Sequence, residues 1–296
     1  MDTTRREFVK ISTAASLSML NPLTVSLESK GLTKKSLKYG MIQEGNTVLE
    51  KFNLIKELGF DGVELDSPNQ LDNREILIAR DKTGILIDGV VNSVHWSSPL
   101  SDADPMVRAK CVESMKISLN DCKLYGGSSV LLVPAVVNEK VSYQEAYTRS
   151  QAEIKKILPV AEKTGIKIAI ENVWNNFLLS PIEAARYIDE FKNPMIGWHF
   201  DIGNIIRYGY PEQWIKVLGK RIIKTDIKDY SRKKANDEGV WKGFNAELGE
   251  GDVDWNAVNN ALRFIGYEGW GAAEVPGGDR KRLEEISKRM DNCYSR

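Results

Sequence analysis

Cysteine and histidine are scarce in this chain: three of the first and two of the second among 296 residues. Cys111, Cys122 and Cys293 show no CxxC spacing, and their odd number argues against a disulfide framework. Cys111 and Cys122 fall within one predicted helix and read as small apolar fillers. Having only His95 and His199 speaks against a histidine-rich, multi-metal nuclease site. Charge of one sign is missing too: the formal net charge is zero, the pI is near 6.8, and no long block of like charge occurs. Nucleic acid is therefore not an expected partner, and the short basic runs 232–234 and 280–282 read as solvated faces. No G-x-G-x-x-G follows a first strand, which removes the dinucleotide fingerprint. The lack of a Gly-rich phosphate loop favours an unphosphorylated small molecule.

Long apolar runs are also absent. The one that stands out, Ile11 to Leu20, is much shorter than the roughly 20 residues a membrane helix needs, so stable membrane insertion is not expected. It follows the charged stretch Thr4 to Lys10 and precedes the polar stretch Ser26 to Lys30. That order is an export signal. The paired Arg5 and Arg6, with Phe8 and Lys10 after them, resemble a twin-arginine signal. The expectation is a signal over residues 1–30, a single domain over 31–296, and a mature protein that is periplasmic or otherwise exported.

From Leu37 onward, strand and helix patterns alternate eight times. Leu37 to Ile42 reads as a first strand. Val48, Leu49, Phe52, Ile55 and Leu58 then recur at helical spacing, with Gly59 at their end. Strands are expected at 61–65, 85–94 and 129–133, and long helices start at Pro105 and Tyr143. In the second half, Ser180, Pro181 and Glu183 write a helix start, Asp254 and Asp279 cap two more helices, and Ser231 to Gly251 reads as an ordered loop over a mouth. Eight βα units over this length predict a single-domain (β/α)8 TIM barrel.

Four of the strands break off at a carboxylate: Ile168 to Glu171, Ile196 to Asp201, Ile222 to Asp226 and Trp270 to Glu274. A strand covered on both faces stays apolar, so an acid at its C-terminal tip is a positional signal. In a parallel barrel those tips share one face, where ligands bind. Four acids gathered there repel one another unless a cation sits between them, and a hard divalent ion suits oxygen donors. Asp226 has a second reading, an ordinary ion-pair cluster with Lys224, Lys228 and Asp229.

The phrases Ile168 to Asn172, Phe200 to Asn204, Asp226 to Tyr230, Gly249 to Trp255 and Ala273–Glu274 resemble the sugar phosphate isomerase/epimerase group of xylose-isomerase-like barrels. The similarity keeps that group's order of elements from Leu37 to the C-terminus. It implies a divalent metal (manganese, magnesium or cobalt) on Glu171, Asp201, Asp226 and Glu274. One departure stands out: ketose epimerases of the group usually carry histidine on the seventh strand, where this chain has Asp226. An all-oxygen donor set favours a harder ion and shifts the expectation toward isomerisation or elimination.

Epimerisation, isomerisation and β-elimination all begin by removing a proton from carbon beside a carbonyl, which a metal-polarised carbonyl and a flanking carboxylate achieve together. The expected function is a metal-dependent sugar isomerase or epimerase, with Glu171 and Glu274 as base and acid. A keto-sugar lyase on the same site and a non-catalytic sugar-binding barrel are the other readings. His95 and Trp96 at a strand tip suit a sugar, Glu64 a substrate hydroxyl and Lys228 an enolate, while Trp174 and Trp241 are expected to line the cleft. His199 shares a strand face with Asp201 and is either its partner or a packed core histidine. A homo-oligomer is compatible with all of this.

Overall fold

The computed structural model describes residues 33–294. The expected export signal lies outside the described residues. Eight strands, all parallel, run in sequence order around a barrel: β1 (Thr33–Leu37), β2 (Gly62–Ser67), β3 (Leu86–Asn92), β4 (Ser129–Leu132), β5 (Lys167–Glu171), β6 (Ile196–Asp201), β7 (Ile222–Ile227) and β8 (Gly269–Ala273). The seam between β1 and β2 is closed by one parallel bridge, Lys38 to Glu64, and by the Asp61 amide donating to the Lys35 carbonyl at 2.8 Å. The helices are α1 (Val48–Glu57), α2 (Asn73–Thr83), α3 (Pro105–Tyr125), α4 (Tyr143–Thr164), α5 (Pro181–Asp189), α6 (Ile202–Ile206), α7 (Pro211–Leu218), α8 (Arg232–Glu238), α9 (Trp255–Phe264) and α10 (Arg280–Cys293).

Local sequence explains most helix starts. Thr47 with Glu50 and Ser142 with Glu145 form complete capping boxes, and Asp104, Ser180, Asp254 and Asp279 each accept from a first-turn amide. The apolar stripes of these helices close against the outer faces of the strands, burying Phe52, Ile55, Leu119, Ile157, Trp214 and Leu262 among others.

Three expectations need correction. The first strand is Thr33–Leu37, not 37–42, and Tyr39–Met41 forms a 3-10 turn instead. Its polar Lys34, Lys35 and Ser36 hide it, although the Lys35 ammonium is anchored on Ser287 at 2.7 Å and Asp291 at 2.9 Å in α10. The stretch 231–251 is not simply a loop, since it holds α8 and a 3-10 segment Val240–Asn245. The short α6, directly after Asp201, was also not expected.

The barrel interior is polar. Strand alternation turns Ser36, Glu64, Asp88, His199 and Lys224 inward, and all five are buried. Branched apolar residues usually fill this space. Here the Glu64 carboxylate faces the Lys224 ammonium, which also lies 2.9 Å from Asp88, and Ser36 donates to Asp88. A buried charge network of this kind forms only where each charge is paired, and its place directly beneath the C-terminal mouth prepares the site above.

Candidate metal centre and substrate cleft

Glu171, Asp201, Asp226 and Glu274 come together at the mouth, with one carboxylate oxygen of each within 4.8 Å of all the others. They arrive from the ends of β5, β6 and β7 and from the residue after β8. Asp201 and Asp226 are fully buried and Glu171 nearly so, while Glu274 is partly open.

The two phrases around Glu171 and Asp201 interlock. The Asn172 side chain donates to the Asp201 carbonyl at 2.8 Å and accepts from the Asp201 amide and the Trp198 indole, each at 3.0 Å. Asn204 returns a bond to the Asn172 carbonyl at 2.9 Å. Asp201 also caps α6, its Oδ1 accepting from the Asn204 amide at 3.0 Å, so only Oδ2 is left to face the centre. Gly203 is required for space: a Cβ there would lie 2.8 Å from the Lys228 carbonyl oxygen.

Two ammonium groups enter the cluster. Lys228 Nζ sits 2.7 Å from Asp201 Oδ2 and 2.7 Å from Glu274 Oε2. Lys38 Nζ bridges Glu64 and Asp226, lying 2.9 Å from Asp226 Oδ2. On its other side, Asp226 Oδ1 is 2.9 Å from His199 Nε2. The expected cluster of Asp226 with Lys224, Lys228 and Asp229 does not form: Lys224 serves Glu64 and Asp88, Lys228 serves Asp201 and Glu274, and Asp226 instead meets Lys38 and His199. Sequence reasoning missed Lys38 and Asp88 altogether, and it named Lys224 but set it beside Asp226 and not against Glu64 and Asp88.

Asp229 has a separate task. Its carboxylate accepts from the Gly249 amide at 3.0 Å, the Val253 amide at 3.2 Å and the Trp255 indole at 3.2 Å, which explains the phrase Gly249 to Trp255 as a loop wound around one acid. Gly251 has no room for a side chain against that carboxylate.

The electrostatics are those of an incompletely neutralised site. Burial, then the neighbouring Glu274, Asp201 and Asp226, push the Glu171 carboxyl well above the usual range. Burial raises Asp201 to about 7 against the opposing pull of Lys228. Burial also disfavours ionisation of Asp226, but His199 and Lys38 outweigh it and hold that carboxyl low. Burial would lower Lys228, yet Asp201, Glu274 and Glu171 raise it.

A cation fits these residues. Asp201 Oδ2 and both Asp226 oxygens are buried without a well-aligned hydrogen bond, although Lys228, Lys38 and His199 lie within 2.9 Å of them. With every group counted as ionised, six acids (Glu64, Asp88, Glu171, Asp201, Asp226, Glu274) face three lysines (Lys38, Lys224, Lys228) among the described residues, a formal excess of three negative charges that a divalent ion would cut to one in place of protons. The donors are all oxygen, which suits a hard ion.

A cleft of about 350 Å³ opens beside the cluster, within the range of small-molecule sites. Glu171, Glu274, Lys38, Tyr39, His95 and Trp96 are among its walls. His95 is fixed by the Val133 amide, which donates to its Nδ1 at 3.4 Å, and burial followed by Lys38 lowers its pKa to about 4. Trp96 is exposed and meets His95 edge to face at 5.7 Å. Glu64 also lines the cleft, but both of its oxygens face ammonium groups, with which any sugar hydroxyl must compete. Trp174 and Trp241 are not among the cleft's walls; they stack on each other at 4.8 Å beside Phe244.

The fold is shared with known proteins. L-ribulose-5-phosphate 3-epimerase UlaE of Escherichia coli O1:K1 is 28% identical over 237 residues, covering 76% of this chain and 81% of the relative. Among solved structures, the apo 3-keto-D-glucoside 4-epimerase YcjR of E. coli superposes with a TM-score of 0.72 at 18% identity, covering 88% of this chain and 98% of that one. A D-tagatose 3-epimerase-like protein gives a TM-score of 0.73 at 21% identity, covering 88% and 98%. The family profile described as xylose isomerase-like TIM barrel matches residues 52–293. The chain belongs to the xylose isomerase-like TIM barrel family.

Proposed function

We propose that this protein is a metal-dependent sugar epimerase that moves a proton at the carbon beside a carbonyl. The observation that carries the reading is the convergence of four strand-end carboxylates, two of them also walls of one cleft. Both the UlaE relative and the similar structures are named as sugar epimerases, which supports the same reaction class here.

Glu171, Asp201, Asp226 and Glu274 would hold the ion. A divalent cation there supplies Lewis-acid polarisation of a sugar carbonyl and relieves the mutual repulsion of the acids. The chain's own residues do the rest. Glu171 and Glu274 face the cleft from β5 and β8, so a sugar lying between them meets one carboxylate on each flank. One takes the proton from carbon and the other returns a proton to the opposite face, which inverts that centre. Lys228 is not among the described walls of the cleft, so its positive charge would act on the site through Asp201 and Glu274, which it contacts. His95, kept neutral by burial, offers its remaining ring nitrogen to a hydroxyl.

Among the described walls of the cleft, the only lysine or arginine is Lys38, already matched by Glu64 and Asp226. That favours an unphosphorylated sugar, unlike the substrate in the relative's name. The test is turnover of a ketose panel in deuterated water: epimerised product should carry deuterium at the inverted carbon, and Glu171→Gln should lose both signals. Product formed without label at carbon would overturn the proton-transfer mechanism, and product lighter by one water would assign a lyase.

A further inference from the structure

We infer that the mouth carries a second, aromatic subsite built by Trp174, Phe244 and Trp241, and that the substrate is a two-ring glycoside whose second pyranose ring stacks there. This inference rests on the sugar-epimerase reading and narrows its substrate class. The cleft takes its walls from the ends of β1, β2, β3, β4, β5 and β8. The aromatic group comes from the other side of the mouth: Trp174 follows β5, and Trp241 and Phe244 follow β7. Glu171 and Glu274, two of the four acids, are themselves cleft walls.

The platform is stiff and built in layers. Buried Tyr230 supports it from below, edge-on to Trp174 at 5.4 Å and to Phe244 at 4.9 Å. Trp174 is locked by its indole N–H donating to the Asn204 carbonyl at 2.9 Å and by the Arg207 guanidinium 4.7 Å from its ring. Phe244 lies 4.7 Å from Trp174 at an interplanar angle of 37°. Gly243 lets this chain segment settle onto Tyr230, whose ring occupies the space a Cβ would need. Core packing accounts for Tyr230 and for most of Phe244. It does not account for Trp241, which stacks on Trp174 yet remains 66% exposed. A large rigid ring left open beside a sugar cleft suits an amphipathic partner, and the C–H face of a pyranose is one, with its hydroxyl rim still in water.

The platform is also connected to the chemistry. Lys228 Nζ lies 5.1 Å over the Phe244 ring while contacting Asp201 and Glu274 at 2.7 Å. A ligand bound in the cleft alone leaves Trp241 in water, whereas a two-ring ligand covers it.

The experiment is calorimetric titration of the full-length protein, with divalent manganese present, using methyl β-D-glucoside as the one-ring probe and cellobiose as the two-ring probe. In the unaltered protein cellobiose should bind about tenfold more tightly, which is about 1.4 kcal/mol. In Trp241→Ala that ratio should fall to near one, and in Trp241→Phe, which keeps an aromatic face, most of it should return. Equal affinities in the unaltered protein, no measurable cellobiose binding, or a tenfold ratio that survives Trp241→Ala would overturn the subsite. Deuterium wash-in with free ketoses tests the epimerase reading separately, so loss of the ratio with wash-in intact removes the subsite alone.

Discussion

Replacing Glu171 by glutamine should act in opposite directions on the metal-free and the metal-loaded protein. Glu171 is 7% exposed, and its ionisation is opposed by burial and then by Glu274, Asp201 and Asp226. Two like charges at the 4.8 Å limit of the cluster repel by about 3 kcal/mol at an effective dielectric of about 20. Proton uptake already relieves most of that, so the neutral side chain should stabilise the metal-free fold by on the order of 1 kcal/mol. For a domain of this size that is roughly 2–4 °C in Tm. With a divalent cation at about 100 times its Kd, the unaltered protein gains about 2.7 kcal/mol, or roughly 5–10 °C. The variant loses one of four charged donors and should lose most of this gain. The assay is thermal unfolding of both proteins, first in chelator and then in excess manganese or magnesium, and the order of the two melting temperatures should reverse. Epimerisation by the variant should fall by at least about 10²–10⁴-fold, the usual contribution of a general base. A variant that melts lower than the parent in chelator, keeps the full metal shift, or epimerises at the parental rate would refute the reasoning.

Other consequences are equally direct. The unfolded chain protonates His95 near pH 6.5 and the folded one only near 4, so the unfolded state binds more protons between those values and stability should fall as pH drops through that window. The loss attributable to His95 is roughly 3 kcal/mol, and urea unfolding of His95→Gln should show a correspondingly shallower slope from pH 6.5 to 4. Asp229→Ala strands four donors, the Tyr230, Gly249 and Val253 amides and the Trp255 indole, and should cost roughly 2–4 kcal/mol, with hydrogen exchange in 245–255 rising most. If the N-terminus is a twin-arginine signal, changing Arg5 and Arg6 together to lysine should retain the protein in the cytoplasm, and fractionation reads the outcome.

The barrel and the acids were legible for the same physical reason. A strand covered on both faces has to be apolar, so the carboxylates that end Ile168–Glu171 and Ile196–Asp201 stand out against their own strands. Helix starts were legible because caps such as Ser180 with Glu183 are local, three residues apart. The counter-charges were not. Lys38 meets Glu64 across 26 residues and Lys224 meets Glu64 across 160, so no spacing in the chain announces either pair. The first strand was misplaced for a related reason. Lys35 and Ser36 break the apolar pattern, and what makes them tolerable in a strand is Ser287 and Asp291 in α10 for one and Asp88 in β3 for the other. The same logic bears on Asp226, the position at which the resemblance to ketose epimerases led one to expect a histidine. A carboxylate there adds a negative charge to a buried cluster, and the structure meets it with an ammonium from β1's end and an imidazole from β6. The departure is therefore compensated by residues from elsewhere in the barrel, and its electrostatic meaning becomes visible only once β1, β6 and β7 lie in one closed sheet.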